Sequence, residues 1–548
     1  MESAKHAGDA AVAVSKAYGV QTMFTLSGGH VFPLYDGAVH EDMRILDVRH
    51  EQSAVFAAEA TARLTRKAGL AVLTAGPGIT NGVSGIATAH FNGSPVVVMG
   101  GRAPQSRWGS GALQELDHPP LLEPITKLAF TSSGADAVGQ DVELAFRTAL
   151  APHRGPVFVD FHMDHLFAPA AGHAAEPLTP SPLEPDPDAV ARIARLLAEA
   201  ERPVLVLGSD VWMDRAEEAA RDFAEAWRLP VIPNGQGRGV LPAGHELLVT
   251  RARGIAFGQA DLVIVVGTPL DFRLAYGWFG GKEGAPLARV VHIADAPSQL
   301  ATHMQPAASA SGDLSLVFWS LGAACGDAGV KPTRYADWVT RLSEAAAAAI
   351  AQDAELLAAE SDPIHPMRIY GELAKVLADD AVVIGDGGDF VSYAGKYVEP
   401  KRPGNWLDPG PYGCLGTGLG YSIAARVARP SSQVVLLLGD GAAGFSLMDV
   451  DTLVRHRLPV VMICGNNGIW GLEKHPMRML YGYDVAAELQ PHCRYDQVVT
   501  ALGGGGELVT KPSEIAPALR RAFDSGVPYM VNIATDPEIA YPRTTTGV

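Results

Sequence analysis

Two short apolar runs near the carboxyl end of the chain both stop at polar side chains, and a segment long enough for a helix separates them. The first run, 434–438, stops at Gly439-Asp440-Gly441, and the second, 458–464, stops just before Asn466-Asn467. Apolar runs of this length bounded by glycine predict buried strands, and residues 446–456 have leucine and valine at helical spacing. The stretch therefore predicts a strand–helix–strand unit whose two parallel strands end side by side.

The polar residues at these two strand ends favour a site for a metal ion and a phosphate group. Because open parallel sheets bind ligands at the carboxyl ends of their strands, Asp440 and Asn467 are predicted to lie close together. A carboxylate, an amide oxygen and a backbone carbonyl are hard donors that suit Mg²⁺. Gly441 and Ala442 leave room for a phosphate beside the N–H groups of a helix start. An ordinary strand–helix–strand unit explains Gly-Asp-Gly alone equally well, but it does not explain the paired asparagines.

The rest of the chain also alternates strand and helix patterns, over a total of 548 residues that allows roughly three domains. A Pro- and Ala-rich stretch at 168–187 predicts a linker. The predicted domains are therefore 1–168, 188–330 and 366–548, with a helix over 333–360 between the last two. Strands that alternate with helices predict an α/β fold class of three doubly wound parallel-sheet domains.

Composition excludes several classes of protein. The net charge of −17 argues against a nucleic-acid partner, although local basic residues can still bind an anionic substrate. The first residues lack a basic segment followed by an apolar run, and no long uncharged apolar run appears, so neither a signal peptide nor a membrane span is predicted. The four cysteines include no CxxC pair, which indicates a reducing cytoplasm, and Cys464 is predicted to be a buried thiol.

With Gly439-Asp440-Gly441 and Asn466-Asn467, the chain resembles the thiamine-diphosphate-dependent enzymes, and the resemblance covers its whole length. It implies pyrimidine-binding, middle and diphosphate-binding domains in that order, with thiamine diphosphate and Mg²⁺ as cofactors. It assigns the metal ligands to Asp440, Asn467 and the backbone of Ile469. It also implies a homodimer or homotetramer with active sites at the subunit interface.

The segment Arg49-His50-Glu51-Gln52, at a predicted strand end, resembles the family's activating-glutamate segment. Thiamine chemistry needs a carboxylate on the aminopyrimidine ring, because that bond promotes the imino tautomer that removes the thiazolium C2 proton. The resemblance gives this role to Glu51, acting on the cofactor of a second subunit. A glutamate that stabilises a helix N-terminus is the alternative interpretation.

Further cofactor contacts follow from the same resemblance. Residues 406–416 are similar to the segment that bends the cofactor into a V, with Leu415 between its rings and the Gly413 carbonyl accepting from the amino group. An apolar helix start is the alternative for Leu415. Asp389 and Phe390 match positions that contact the diphosphate. The implied cofactor-binding residues are Glu51, Asp389, Phe390, Gly413, Leu415, Gly441, Ala442, Asn467 and Ile469.

Three residues are candidates for proton transfer. Glu473 occupies an offset at which several thiamine decarboxylases carry a proton-handling glutamate, and its apolar neighbours predict a setting that favours proton exchange near neutrality. A solvated helix residue paired with Lys474 or Arg478 is the alternative. His30 lies in a predicted strand-to-helix turn, where a surface histidine is the alternative, and Gln114 matches a polar residue near the cofactor in relatives.

Two departures argue against the acetolactate synthase branch of the family. Those enzymes usually carry a tryptophan where this chain has Pro476, and an arginine before an FAD-holding segment that here reads Gly267-Thr268-Pro269-Leu270-Asp271-Phe272-Arg273. Residues 407–425, with Gly420-Tyr421, instead look like oxalyl-CoA decarboxylases and 2-hydroxyacyl-CoA lyases. The resemblance is to actinobacterial lyases that cleave short, branched 2-hydroxyacyl-CoA, such as 2-hydroxyisobutyryl-CoA, to a ketone or aldehyde plus formyl-CoA. Condensation of pyruvate, or a relative without catalysis, are the alternatives.

The lyase branch implies two further binding sites. It implies ADP, or less favourably FAD, in the middle domain, where Asp295 and Asp313 match nucleotide-contacting positions that loop capping explains equally well. An acyl-CoA substrate needs clustered basic residues for its phosphates. The candidates, which no motif supports, are Arg251, Arg253, Lys401, Arg402 and Arg543.

Overall fold

The computed structural model describes residues 6–177, 181–280, 287–539 and 541. Three sheets of six, five and six strands follow one another along the chain, and each paired strand runs parallel to its neighbour. The predicted fold class of three parallel-sheet α/β domains is confirmed. The sheets lie within the three predicted ranges, and the domain boundaries themselves remain predictions.

The first sheet has the strand order β2-β1-β3-β4-β6-β5. Its strands are β1 (Thr22–Thr25), β2 (Arg44–Asp47), β3 (Gly69–Leu73), β4 (Val96–Arg102), β5 (Leu128–Thr131) and β6 (Val157–His162). Its helices are α1 (Ala7–Ala17), α2 (Phe32–His40), α3 (Glu51–Thr65), α4 (Pro77–Phe91), α5 (Pro119–Leu122), α6 (Val138–Leu150) and α7 (Met163–Phe167).

The middle sheet has the order β11-β10-β9-β7-β8. Its strands are β7 (Pro203–Leu207), β8 (Val231–Pro233), β9 (Leu262–Val266), β10 (Arg289–Ala294) and β11 (Ala308–Ser311). Its helices are α8 (Pro187–Glu199), α9 (Ser209–Met213), α10 (Glu217–Ala226), α11 (Arg253–Gln259) and α12 (Leu314–Asp327). The long α13 (Ala336–Leu357) follows, and its Asp353 pairs with Arg251 of the middle domain and with Lys396 of the third domain, so it joins the two.

The third sheet has the order β13-β12-β14-β15-β17-β16. Its strands are β12 (Val382–Asp386), β13 (Trp406–Leu407), β14 (Val434–Gly439), β15 (Val461–Asn466), β16 (Gly505–Val509) and β17 (Tyr529–Ala534). Its helices are α14 (Pro366–Leu373), α15 (Asp389–Tyr397), α16 (Thr417–Ala428), α17 (Asp440–Ser446), α18 (Val450–Arg455), α19 (Gly471–Tyr481), α20 (Tyr495–Ala501) and α21 (Pro512–Asp524).

Each sheet is buried on both faces, which explains why its central strands are continuous apolar runs. In β3, Leu70 and Val72 pack into one hydrophobic cluster, whereas Ala71 and Leu73 pack into another on the opposite face. The second of these clusters continues through α3 and α16 to the third sheet. The first and third domains therefore share one apolar core.

Arg63 of α3 lies where the three domains meet. It is buried beside Glu59, and its Nη1 donates to the Asp408 carbonyl of the third domain at 2.8 Å. Its own carbonyl accepts from Trp212 Nε1 of the middle domain at 2.6 Å. A buried arginine paired in this way fixes the domains relative to one another, because removing either partner leaves a buried charge uncompensated.

The helix predicted over 446–456 is corrected by the structure. Helix α17 begins directly at Asp440, a 3₁₀ turn covers Leu447–Asp449, and α18 completes the segment. The glycines of 439–444 suggest a loop because glycine is a weak helix former. Here residues 440–446 form a helix, and the glycine at 441 is required for another reason: a Cβ there would be 2.5 Å from a carbon of the Trp470 ring.

Several composition-based expectations concern single residues or short segments. Cys464 is fully buried and all four cysteines are free, as predicted for this chain. The predicted linker has no helix or strand over 169–177 and 181–186. Among the described residues, no helix is both long and apolar enough to cross a membrane.

Candidate active site

The carboxyl ends of the third sheet border a cavity of about 540 Å³. In this sheet the chain leaves β12 toward β13 on one side and β14 on the other, and ligands bind at such a reversal of strand order in open α/β sheets. All the candidate cofactor, metal and proton-transfer residues predicted in the third domain line this one cavity. They are Asp389, Phe390, Gly413, Leu415, Asp440, Gly441, Ala442, Asn467, Ile469 and Glu473.

Asp440 joins the ends of β14 and β15. Its Oδ2 accepts the Gly468 N–H at 2.6 Å, and its Oδ1 accepts the Gly441 N–H at 3.0 Å. Burial raises the pKa of Asp440 to about 6, although these backbone bonds lower it. A bound cation would stabilise the ionised carboxylate in this buried position.

The donor set beside Asp440 fits a hard divalent cation. Asn467 and Ile469 line the same cavity, and the Asn467 side chain turns back to accept the Ile469 N–H at 3.2 Å. A carboxylate, an amide oxygen and a backbone carbonyl at one strand edge are the ligand types that Mg²⁺ takes when it is shared with phosphates. The chemistry of the residues therefore fits the cation that the sequence predicts.

Leu415 is positioned by a carboxylate that the sequence analysis missed. The Asp386 oxygens accept the N–H groups of Gly416 at 3.0 Å and Gly418 at 2.8 Å, on either side of the start of α16. Asp386 is fully buried, and burial raises its pKa to about 6 against these bonds. The acidic residue at the end of β12 was a signal for this role, but its partners lie 30 and 32 residues away.

Glu473 lies in the first turn of α19 and faces the cavity from an exposed position. The apolar setting expected for Glu473 is therefore wrong within the single chain. Helix α19 buries Lys474 and leaves the adjacent Glu473 exposed. The alternative pairings are not formed either. Lys474 pairs with Glu488, and Arg478 pairs with Asp484 and Glu538.

Glu51 begins α3 at the end of β2, and it is 6% exposed. Its Oε2 accepts from Asn81 Nδ2 at 3.0 Å. His50 caps the helix, with its Nδ1 accepting the Gln52 N–H at 3.2 Å, so Glu51 is not needed as the cap. As a first-turn acid it still interacts favourably with the helix dipole, and both interpretations of this residue stay open.

His30 and Gln114 lie near the same turn, 75–78, that follows β3. His30 is 8% exposed, so the surface alternative is wrong, and its Nδ1 lies 3.2 Å from Thr74 Oγ1. Burial lowers the pKa of His30 below its ordinary value. Gln114 packs so closely on Gly76 that a Cβ there would lie 2.9 Å from the Gln114 carbonyl oxygen.

The candidate residues thus form two groups in the single chain. Glu51, His30 and Gln114 surround the turn after β3, at the reversal of strand order in the first sheet. The cavity of the third domain is lined by described residues of the middle and third domains only. The two groups therefore do not share one cavity among the described residues of the chain.

A second cavity, of about 640 Å³, is lined mainly by residues of the first and middle domains, with Asp408, Gly410 and Pro411 of the third. His153 and Asp210 line it, and His153 Nδ1 lies 2.9 Å from the buried Asp295 carboxylate. Burial, followed by the charge of Asp295, raises the pKa of Asp210 to about 8. Asp313 instead caps α12 by accepting the Leu316 N–H at 3.1 Å, which supports the cap interpretation for that residue.

The basic residues predicted for coenzyme A do not form one cluster. Arg251 pairs with Asp353, and Lys401 pairs with Asp379 at 2.5 Å. Arg253 lies near Arg238 and Arg273. Burial, and then the charges of these two cations, lower the pKa of Arg253 to about 10. Arg273 lines both cavities. Arg402 lies near Asp379, the partner of Lys401, and Arg543 lies outside the described residues.

Three family models match successive parts of the chain. They are "Thiamine pyrophosphate enzyme, N-terminal TPP binding domain" over residues 5–121, "Thiamine pyrophosphate enzyme, central domain" over 190–321 and "Thiamine pyrophosphate enzyme, C-terminal TPP binding domain" over 386–533. The first match contains one group of candidate residues and the third contains the other.

Proteins that are similar to this chain over nearly its full length carry two different names. "Acetolactate synthase large subunit IlvG" of Mycobacterium tuberculosis is 50% identical over 98% of this chain and 97% of its own. "2-hydroxyacyl-CoA lyase 2" is 33% identical in Caenorhabditis elegans, over 96% of this chain and 88% of its own. The Homo sapiens protein of the same name is 31% identical, over 97% of this chain and 90% of its own.

Proposed function

The chain belongs to the thiamine pyrophosphate enzyme family, and we propose that it is a lyase that cleaves a short, branched 2-hydroxyacyl-CoA. With 2-hydroxyisobutyryl-CoA the products are acetone and formyl-CoA. The bond between the hydroxyl-bearing carbon and the thioester carbonyl breaks, the hydroxyl loses its proton, and the former carbonyl carbon gains one. Two relatives named 2-hydroxyacyl-CoA lyase 2, similar over nearly the whole chain, support this reaction class.

The observation that most supports the lyase is the position of Glu473. It lines the same cavity as Asp440, Asn467 and Leu415, and no hydrogen bond or ion pair of its side chain occurs among the described residues. A carboxylate with no internal partner is available to take the proton of the substrate hydroxyl and to return a proton to the acyl carbon.

The cofactors of the proposal are thiamine diphosphate and Mg²⁺. Bound thiamine diphosphate supplies the carbanion that breaks a bond next to a carbonyl. Asp440, Asn467 and the Ile469 carbonyl would hold the metal, and Leu415, fixed through Asp386, would support the bent cofactor. Glu51 would hold the proton at the aminopyrimidine ring.

The two half-sites support a homodimer as the working unit. Glu51, His30 and Gln114 do not line the cavity that holds the metal donors, so one chain does not bring the whole set together. A two-fold pair brings the first domain of each chain to the third domain of the other, which makes two complete sites. A homotetramer would contain two such pairs.

The basic residues at the mouth of the cavity support an acyl-CoA substrate. Arg273 lines the cavity, and Arg238 and Arg253 lie close to it. Among the described residues Arg238 pairs with Glu399 and Arg273 with Asp271, whereas the Arg253 guanidinium reaches the Arg273 carbonyl and forms no ion pair. Planar guanidinium groups bind phosphate oxygens in pairs, so this cluster suits the phosphates of coenzyme A.

The second cavity supports a nucleotide in the middle domain, ADP in preference to FAD. Its volume of about 640 Å³ is of the size that small-molecule sites occupy. Asp210 lines this cavity and can bond a ribose hydroxyl, and Arg154, which also lines it, offers a donor for phosphate. Asp295, which pairs with His153, is not part of the lining.

A direct assay tests the proposal. The full chain, loaded with thiamine diphosphate and Mg²⁺, is incubated with 2-hydroxyisobutyryl-CoA, and acetone and formyl-CoA are measured by mass spectrometry. We expect both products in equal amounts, and none with Asp440→Ala as the control. Acetolactate from pyruvate without any thioester cleavage would overturn the lyase.

Condensation of pyruvate, as in an acetolactate synthase, is the second candidate function. The 50% identity of the Mycobacterium tuberculosis relative with that name favours it. The same chain preparation with pyruvate alone tests it, with acetolactate as the readout.

A further inference from the structure

The turn 75–78 packs against two candidate residues of the first domain, Gln114 and Glu51, and Thr74 just before it lies 3.2 Å from His30 Nδ1. Its Gly76 packs against Gln114, and a Cβ on Gly78 would lie 3.7 Å from Glu51 Oε1. The helix that starts there, α4, carries Asn81, whose amide donates to Glu51 at 3.0 Å. The position of this turn therefore sets the positions of the groups around it.

One buried histidine holds the backbone of the turn. His118 is fully buried, and its Nε2 accepts the Gly76 N–H at 3.0 Å. Gly76 precedes Pro77 at the start of α4 and has a φ of 57°. This N–H is buried and turned away from the helix, so without His118 it would have no partner. A buried N–H without a partner costs on the order of 1–3 kcal/mol.

A carboxylate fixes the tautomer of that histidine. Asp160 Oδ2 lies 2.8 Å from His118 Nδ1, and Asp160 is fully buried. Because Nε2 accepts the Gly76 N–H, the ring proton is on Nδ1 and is donated to Asp160. The Asp160 charge is compensated by Arg102, whose Nη1 donates to it at 3.0 Å. His118 therefore bridges the Asp160 carboxylate and the Gly76 N–H.

We propose that His118, held by Asp160, is a positioning residue for the thiamine chemistry. It sets the turn 75–78, and through that turn the contacts of Glu51 with Asn81 and of Gln114 with Gly76. This inference rests on the proposed function. It adds to the proposed function a residue, His118, that contacts neither cofactor nor substrate but determines the position of the Glu51 carboxylate.

The positioning role depends on the hydrogen-bond acceptor at the Nε2 position of His118, which accepts the Gly76 N–H. A glutamine side chain reaches as far as Nε2 and places an amide oxygen there, whereas an asparagine reaches only as far as Nδ1. His118→Gln therefore keeps an acceptor for Gly76, and His118→Asn keeps a contact with Asp160 and leaves Gly76 without a partner. His162→Gln is the matched control, because His162 is a buried histidine on the strand of Asp160 that bonds the Ala103 carbonyl at 2.6 Å.

Two measurements test the proposal on the full chain. Hydrogen–deuterium exchange by mass spectrometry reports the amides of the 69–80 region, with and without thiamine diphosphate. Exchange of the thiazolium C2 proton of the bound cofactor reports whether Glu51 is in place. For His118→Asn we expect faster amide exchange at the turn and C2 exchange slowed by roughly ten- to a hundredfold, the scale for a misplaced catalytic group. His118→Gln and His162→Gln should stay within a few-fold of the wild type.

The outcomes separate this inference from the proposed function. If the wild type shows no C2 exchange, the proposed function fails, while the amide exchange still reports whether His118 holds the turn. If the wild type exchanges and His118→Asn exchanges equally fast, the positioning role is overturned. Equal losses in His118→Gln and His118→Asn would also overturn it, because a general loss of packing does not depend on side-chain reach.

Discussion

The Asp440 carboxylate accepts the Gly468 backbone N–H at 2.6 Å, which ties the end of β14 to the loop after β15. This single bond brings the carboxylate beside Asn467 and Ile469. The two strand ends that carry the sequence motif are therefore held together before any ligand binds. A preformed donor set of this kind loses little freedom when it takes up a cation.

Asp440→Ala should abolish binding of Mg²⁺ and thiamine diphosphate together. The change removes a ligand and also releases the Gly468 loop. We expect the affinity for the cofactor, measured by calorimetry with Mg²⁺ present, to fall by more than the roughly hundredfold that outer-shell changes cost. Asp451→Ala, which removes a more exposed acid of α18, is the control and should bind normally. Tight cofactor binding by the Asp440 variant would refute the metal site.

Metal affinity should fall as the pH is lowered through about 6. Burial raises the pKa of Asp440 from 3.8 to about 6, so below that pH the cation must displace a proton. We expect the apparent affinity for Mg²⁺ to drop by about tenfold per pH unit there and to be constant above it. The titration is corrected for protonation of the cofactor phosphate, which is measured without protein. A constant affinity between pH 7 and pH 5 would contradict the assignment.

The sequence predicted the strand ends well because parallel strands buried on both faces leave a plain signal. Val434–Gly439 and Leu262–Val266 are apolar runs bounded by polar or glycine residues, and both are strands. The pattern at those strand ends predicted that Asp440 and Asn467 lie close together, and both line one cavity. These features depend on local pattern, which the sequence contains.

The missed features depend on contacts between distant segments. Asp386 bonds Gly416 and Gly418, and His118 bonds Gly76, and neither pair has a spacing that marks it. The exposure of Glu473 follows from which side of α19 packs inward, and the buried Lys474 on that side is not a typical core residue. Such features follow only from the assembled fold.

Glu51→Gln should leave the fold and cofactor binding nearly intact and slow C2 proton exchange by orders of magnitude. An amide can keep the contact with Asn81 but cannot accept the proton that the imino tautomer requires. Hydrogen–deuterium exchange at C2 of the bound cofactor is the measurement. Asn81→Asp, which keeps the size of the partner, tests the supporting contact. A wild-type rate in Glu51→Gln would remove Glu51 from this role.

Two inactive variants should restore activity when they are mixed, if each site is shared between chains. Glu51→Gln and Asp440→Ala disable opposite halves of the site, and in a mixed dimer both changes fall in one site and leave the other intact. After unfolding and refolding of an equal mixture, we expect about a quarter of the wild-type activity for a two-fold dimer. Each variant refolded alone is the control. No recovery from a mixture that contains mixed dimers would show that each site is built within one chain.

The lyase reaction should depend on Glu473 more than substrate binding does. The hydroxyl of the substrate must lose its proton as the carbon–carbon bond breaks, and the remaining acyl fragment must gain one, so a nearby group has to take and give protons. Decarboxylation of pyruvate needs no base to start. We therefore expect Glu473→Ala and Glu473→Gln to reduce kcat on 2-hydroxyisobutyryl-CoA at least about a hundredfold, the usual scale for an acid or base.

The apparent affinity for the thioester should change little in both Glu473 variants, because coenzyme A makes contacts away from the reacting carbon. Glu488→Gln is the matched control. It removes the carboxylate that pairs with Lys474, the residue next to Glu473 in α19, and Glu488 itself does not line the cavity. We expect that control to keep kcat within a few-fold of the wild type. Steady-state kinetics with formyl-CoA as the product give both constants. A Glu473→Gln enzyme that turns over as fast as the control would clear Glu473 of proton transfer, and the lyase would then need another base in the cavity.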